Sequence, residues 1–277
     1  MLLCLAGHNE AQSEAPEVTV VFIDGATITQ MLKPGTTKTF EEYAHQIFIP
    51  YIARQLRNAR RLDLVWDTYR DDSLKASTRE KRGKGVRRRV VKSAAIPGNW
   101  QSFLRVHSNK VELFSFLSKM LVQSYQEEGK ELVVTDGQDI LSVPQQEDIN
   151  QLAPCSHKEA DTRLMVHAVH DAQHGHHKIQ IRTVDSNVVV LAVMVAKTMS
   201  DEDELWSAFG TGKAFRYLPA HEISASLGPE KARALPIFYV LTGCGAVSAF
   251  VGHGKKSAWA TCMGCLSRAN TCSSQAC

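Results

Sequence analysis

Residues 18–23 read VTVVFI, and Asp24-Gly25 closes the run. An unbroken stretch of β-branched and aromatic residues, without polar alternation, is the pattern of a strand buried on both faces. Strands of that kind belong to parallel sheets covered by helices, so a helix should follow. Residues 38–58 meet this expectation, with Phe40, Tyr43, Ile47, Tyr51, Ile52, Gln55 and Leu56 mostly at helical spacing and Pro50 as a local irregularity. Residues 62–66 (LDLVW) give a second strand, closed by Asp67. The alternation continues outward. A helix spans 110–125, a third strand lies at 131–135 with a hairpin near Asp136-Gly137, and another helix lies near 157–173. A fourth strand at 178–184, interrupted by Asp185, leads into the apolar helix 188–196. Residues 204–210 and 214–218 read as two more short strands, and short helices bracket Pro229 and Pro236. Strands alternating with helices predict an α/β fold, a three-layer sandwich whose mostly parallel central sheet is flanked by helices.

The chain has 277 residues, 44% of them hydrophobic and 22% charged, enough for one large core or two small ones. Its net charge of +3 is uninformative as a total, but its distribution is not. Residues 79–92 (REKRGKGVRRRVVK) hold eight cations and one anion, a local +7, so the rest of the chain carries 3 − 7 = −4. No apolar run approaches the roughly 20 residues that span a bilayer; the longest, 188–196, has nine. The start, MLLCLA, lacks a cationic segment and a full apolar segment, so secretion is not expected. Seven cysteines, with Cys4, Cys155 and Cys244 scattered singly, fit reduced thiols and a nuclear or cytoplasmic location.

Three strands end at or near an acid: Asp24, Asp67 and Asp185. In a parallel sheet, ligands bind outside the carboxyl ends of the strands, so these acids should converge on one edge. Glu159 and Asp161 open a helix (HKEADTRL) and can lean toward the same opening, stabilised by its N-terminal dipole. Acids crowded on one rim repel each other unless a cation neutralises them. Hard oxygen ligands at such density suit Mg²⁺ or Mn²⁺, and two such ions about 4 Å apart can activate a water for phosphodiester hydrolysis. Against this stands a plainer account, that acids are common at strand ends and helix starts.

Taken in order, VVFIDG, VWDTYRDDSLKASTREKRGKGVRRR, KEADT, TVDSN and TGCGAVSAFVGHGKKSAW resemble the PIN-like, flap-endonuclease (XPG-type) nuclease superfamily. The likeness is to multi-copy animal proteins of this type and covers residues 18–260 as a PIN-like domain. It implies a basic arch at 75–92 and a partial helix–hairpin–helix at 246–260. Residues 1–17 then form an extension outside the domain, and 261–277 a Cys-rich tail expected to be disordered. The resemblance implies metal-dependent hydrolysis of DNA or RNA, with Asp24, Asp67, Glu159, Asp161 and Asp185 as catalytic acids. Asp24, Glu159, Asp161, Asp185 and Asn187 would ligate Mg²⁺ or Mn²⁺. Two positions depart from the family pattern. Asn187 stands where the second acid of a D-x-D pair is expected, and Gly245 where a late Asp is expected. Both remove an anion, so divalent-ion binding and turnover are expected to be impaired. The alternative is a catalytically inactive descendant of the fold that binds nucleic acid or serves as a protein scaffold.

The basic segment supplies what an acidic rim lacks, a cationic guide for a polyanion. Lys75, Arg79, Arg82, Arg87, Arg88 and Arg89 could hold phosphates by counterion release; a nuclear-import signal or a solvated loop are the plainer alternatives. Gly252, Gly254, Lys255 and Lys256, in GHGKK, resemble a hairpin whose backbone approaches a phosphate. Tyr69 and Trp100 could stack on bases, although aromatics are more often packed inside. Zinc on Cys262, Cys265, Cys272 and Cys277 is not expected, because the tail has almost no apolar content to organise four ligands. His167, His170, His174, His176 and His177 read as a solvated, weakly basic surface rather than a metal site.

Overall fold

The structure, a computed structural model, describes residues 11–68, 85–146, 148–153 and 159–241, together with 258, 259 and 261. Lys75, Arg79, Arg82, Tyr69, Cys155, Gly245, Gly252, Gly254, Lys255, Lys256 and the cysteine tail lie outside those residues. Strand β1 (Val20–Asp24) pairs in parallel with β2 (Arg61–Val65) and with β5 (Lys178–Thr183), and β2 pairs in parallel with β3 (Glu131–Asp136). A hairpin turning through Gly137, at φ 66°, folds β4 (Asp139–Val143) back antiparallel to β3. Strands β6 (Glu204–Phe209) and β7 (Arg216–Pro219) also pair antiparallel. The sheet order is β4-β3-β2-β1-β5-β6-β7. This is the expected α/β architecture, a mostly parallel seven-stranded sheet flanked by helices. The chain divides into two compact units, one of residues 17–182 and one of the remaining residues.

In the first unit every residue of β1 and β2 is buried, which is why both read as unbroken apolar runs. Helix α1 (Gly25–Met31) follows β1 directly. The helix expected over 38–58 is built from α2 (Phe40–Tyr43), a π-helical turn (Ala44–Phe48) and α3 (Ile49–Leu56). Pro50, the second residue of α3, has no N–H to give the preceding turn, and its ring crowds the carbonyl four residues back; the widened turn accommodates both. Helices α4 (Trp100–Arg105) and α5 (His107–Ser124) lie between β2 and β3 in the chain, and α6 (Ala160–Gln173) leads to β5. Trp100 packs in the core: its indole N–H donates to the Thr29 carbonyl at 2.9 Å, and its ring lies 5.0 Å from Tyr43 and 5.1 Å from Phe103.

The histidine-rich face of α6 is not the solvated surface that its composition suggested. His167 is 1% exposed and His170 is also buried, whereas His174 and His177 are exposed. The cause lies on β2, where Arg61 and Asp63 point to one face two residues apart. Arg61 grips both Asp63 oxygens at 2.7 and 3.0 Å and reaches Asp171 at 3.0 Å. His167 Nδ1 lies 2.6 Å from Asp63, and His170 Nδ1 3.0 Å from Asp171. Burial pushes Asp63 up, but Arg61 and His167 outweigh it and hold the carboxyl below its usual range. Asp171 is pushed up by burial and by the neighbouring charge of Asp63.

The second unit contains α7 (Ser186–Ala196), the β6–β7 hairpin and a helical stretch, Ala220–Leu241, that breaks at Gly228 (φ 74°). A positive φ is inexpensive only for glycine, and Pro229 then restarts the helix where its missing N–H has no role. Gln12 pairs with Tyr217 on β7 through two backbone hydrogen bonds of 3.0 and 2.9 Å. Among the described residues, no helix is long and apolar enough to cross a membrane.

Candidate active site at the carboxyl ends of the strands

Strand order reverses direction at β1, which has β2 and β3 on one side and β5 on the other. At such a switch point the neighbouring connections leave in opposite directions and open a crevice beyond the strand ends. Asp24 is the last residue of β1 and stands at that point. Its register partner is Val65, so Asp67, two residues on, leaves the adjacent strand beside it. The Asp24 carboxylate caps α1: one oxygen accepts from the Thr27 amide at 3.1 Å and the other from the Thr27 hydroxyl. Asp24 is only 7% exposed. Burial, and secondarily the charge of Asp67, push its pKa up to about 6, while the Thr27 hydrogen bonds pull against them.

Two features fix this corner. Gly25 sits where an added Cβ would lie 2.2 Å from the Trp66 ring, so only glycine lets α1 start there. Trp66 is anchored in turn: its amide donates to Thr135 Oγ1 and its indole N–H to Ser118 Oγ, each at 2.8 Å, and it stacks on Phe114 at 4.2 Å. Asp67 therefore leaves a rigid base. Its Oδ1 accepts from the Ala160 amide at 2.8 Å, docking the first turn of α6 onto the end of β2. Glu159 is the N-cap of α6 and Asp161 lies in its first turn, on either side of that docked amide. Four of the sequence-identified acids thus gather around two junctions, Asp24 with Asp67 and Asp67 with the α6 terminus. Asp136, which ends β3 and was not singled out from the sequence, lies 3.2 Å from the Ser115 hydroxyl and 3.7 Å from Lys119.

No family model matches the sequence, and no curated protein matches it. A solved structure does. The T5 D15 protein, co-crystallised with metal ions, superposes on 88% of this chain and 73% of its own, with 11% identity and a TM-score of 0.47.

Asp185 and Asn187 belong to the second unit. Asp185 caps α7 by accepting from the Asn187 amide at 2.8 Å, and its own amide donates to Thr183 Oγ1 at 3.0 Å. Among the described residues, no group of three or more His, Cys, Asp or Glu side chains is placed to hold a metal ion. The oxygen-only donor set of Asp24 and Asp67 suits a hard divalent cation, and their mutual repulsion is what such a cation would relieve. A site built on that pair would complete its coordination with water.

Of the three basic residues within the described part, Arg88 and Arg89 are exposed. Arg87 is engaged by Glu112 and by Asn109 Oδ1, the latter at 3.0 Å. Thr27, Asn109 and Glu112 were not singled out from the sequence. Thr27 had a local signal, its position three residues after a strand-ending Asp, where a cap's partner belongs. Asn109 and Glu112 had none, since their partners among residues 86–90 lie more than 20 residues away.

Proposed function

We propose that the chain is a metal-dependent phosphodiesterase-type domain acting on DNA or RNA, centred on Asp24, Asp67, Glu159 and Asp161. The observation that carries this is the buried Asp24 at the strand-switch point, near enough to the end of β2 for the charge of Asp67 to help raise its pKa. Mg²⁺ or Mn²⁺ held there would neutralise phosphate charge and lower the pKa of a bound water. Thr27 fixes the orientation of Asp24, and the Ala160 amide fixes Asp67. Glu159 and Asp161, at the positive end of α6, would orient water or hold a proton at the rim. Arg88 and Arg89 would supply cationic guidance toward phosphate.

An inactive, nucleic-acid-binding or scaffold role is the second possibility. It is favoured by Asn187 in place of an acid and by the lack of three convergent ligands among the described residues. One experiment separates the two. Labelled single-stranded and flapped DNA, and single-stranded RNA, are incubated with Mg²⁺ or Mn²⁺, and Mn²⁺ affinity is measured by calorimetry on the same preparations. The nuclease role predicts cleavage that Asp24→Ala and Asp161→Ala each reduce at least about a hundredfold, the scale of losing a group that acts in the transition state. Cleavage surviving both substitutions would sink the proposed site; no cleavage and no carboxylate-dependent Mn²⁺ binding would leave the scaffold role.

A further inference from the structure

Helix α6 ends in the sequence His170-Asp171-Ala172-Gln173, and His174 is the residue that caps it. Two histidines four residues apart lie one above the other on a helix, the spacing at which helical histidine pairs hold zinc. Their rings are arranged more particularly than a solvated face requires. The centroids are 4.1 Å apart with the planes inclined by 24°, and each ring has its Nδ1 engaged. His174 Nδ1 lies 2.7 Å from the His170 carbonyl oxygen, which can only accept, so this Nδ1 carries a proton. His170 Nδ1 lies 3.0 Å from Asp171 Oδ1, an oxygen that already accepts from Arg61 at 3.0 Å, so this Nδ1 donates as well.

A neutral imidazole with its proton on Nδ1 keeps a lone pair on Nε2. In His170, which is 8% exposed, that Nε2 is buried without a hydrogen-bond partner. A buried acceptor left unmatched carries a cost that a ligand would remove. His174 is exposed and opens the pair to solvent. His167, three residues before His170, has the same kind of Nδ1 contact, with Asp63, but it is sealed inside with its ring edge toward Phe22. Metal-binding histidines in general donate Nδ1–H to a carboxylate or a backbone carbonyl, which fixes the ring and raises the basicity of Nε2. Here one ring of the pair has the carboxylate and the other has the carbonyl.

We propose that His170 and His174 form a site for a divalent transition metal ion of the zinc type, bound through both Nε2 atoms and clasping the end of α6. Imidazole nitrogen suits Zn²⁺, whereas the all-oxygen donors at the strand ends suit Mg²⁺ or Mn²⁺, so the two sites would select different ions. Two nitrogens each about 2 Å from one ion lie roughly 3–4 Å apart, a spacing that rings at this separation reach by small rotations. Among the described residues no group of three such side chains is placed to hold an ion, so water completes the coordination of the pair. Asp171 Oδ1 is committed to Arg61 and His170, which gives the site a structural role: it fastens the turn that seats Asp171 in the buried network. The proposal does not rest on the phosphodiesterase reading.

The test uses the full chain with nitrogen-labelled histidine, in excess Mg²⁺ to occupy oxygen sites, titrated with Zn²⁺ and followed by NMR of the ring nitrogens. The Nε2 resonances of His170 and His174 should shift together and saturate at a common Zn²⁺ concentration, while both Nδ1 atoms keep their protons. His174→Gln leaves a side chain that can still donate to the His170 carbonyl, so the fold is retained while one ligand is lost. It should weaken Zn²⁺ binding at His170 by at least about tenfold, the scale on which metal sites respond even to an outer partner. His177→Gln, at the other exposed histidine of this stretch, should leave the affinity unchanged. Bound Zn²⁺ should also slow hydrogen exchange at the His174 amide, which closes onto the His170 carbonyl at 3.2 Å. Rings that Zn²⁺ leaves unmoved overturn the site, including the case in which cysteine thiolates take the ion. Equal affinity at His170 in His174→Gln, or a shift confined to His176 and His177, overturns it as well. Unchanged exchange at the His174 amide overturns the clasping role.

Discussion

Asp24 combines two demands that oppose each other, capping a helix and bearing charge in a buried corner beside Asp67. Its pKa, raised from 3.8 to about 6, means that the folded protein favours the protonated form. The contribution to stability is therefore complete below about pH 4 and is lost as pH rises through about 6. Asn caps helices as well as Asp does and cannot ionise. Asp24→Asn should accordingly match the wild type at about pH 4 and exceed it at about pH 8 by up to ~3 kcal/mol, at 1.36 kcal/mol per pKa unit. Urea unfolding at the two pH values, with chelator present, measures the difference; an offset independent of pH would show that the carboxyl is not raised. The strand-ending position of Asp24 was legible in the sequence. Its altered acidity was not, because that depends on Asp67 and on burial by elements distant in the chain.

At the scale of elements, the junction of β2 with α6 is the most informative. Asp67 was recognisable as a strand-ending acid, and KEADT as a helix start, but nothing local joins two segments 93 residues apart. Asp67→Ala should cost about 1 kcal/mol by uncapping the Ala160 amide, and Asp67→Asn should recover most of it by keeping an acceptor. Both variants should move the Asp24 pKa downward, because the repelling charge is gone in each. Denaturation together with NMR titration of the Asp24 carboxyl carbon checks the pair. A capping loss without a shift at Asp24 would mean that the two acids act separately. The irregularity at Pro50 was likewise visible, but not the π-helical form it takes, which depends on how the widened turn packs Ala44 and Phe48 into the core.

Among the described residues of the first compact unit, a concentrated internal charge lies away from the candidate site, between β2 and the second half of α6. Arg61, Asp63, His167, Asp171 and His170 form one buried network in which each ionic partner compensates the desolvation of another. Removing one member leaves the others stranded. Asp63→Ala should therefore destabilise the unit by about 3–5 kcal/mol, enough to consume a large part of an ordinary domain's stability. The same truncation at Glu41, whose ion pair with Lys92 is exposed, should cost well under about 1 kcal/mol. Comparison of the two by chemical unfolding gives the check, and similar losses would mean that the network contributes no more than a surface pair.

The amino-acid order alone determined the strands, the longer helices between them, the α/β class and the acids that close β1 and lie just beyond β2 and β5, but not the short helices α1 and α4. Each of these rests on local periodicity or on turn chemistry, which a short window of residues carries in full. It also located the basic segment, since charge density needs no fold to be seen. Tertiary structure alone decided which face of α6 is buried, that Asp24 feels the charge of Asp67 while Asp185 caps its own helix, and that the exposed Arg87 is engaged by Glu112 and Asn109. Those outcomes depend on partners tens of residues away, whose approach is set by sheet order and packing. A side chain's role as ligand, cap or clamp is a property of its neighbours, and only the folded chain supplies them.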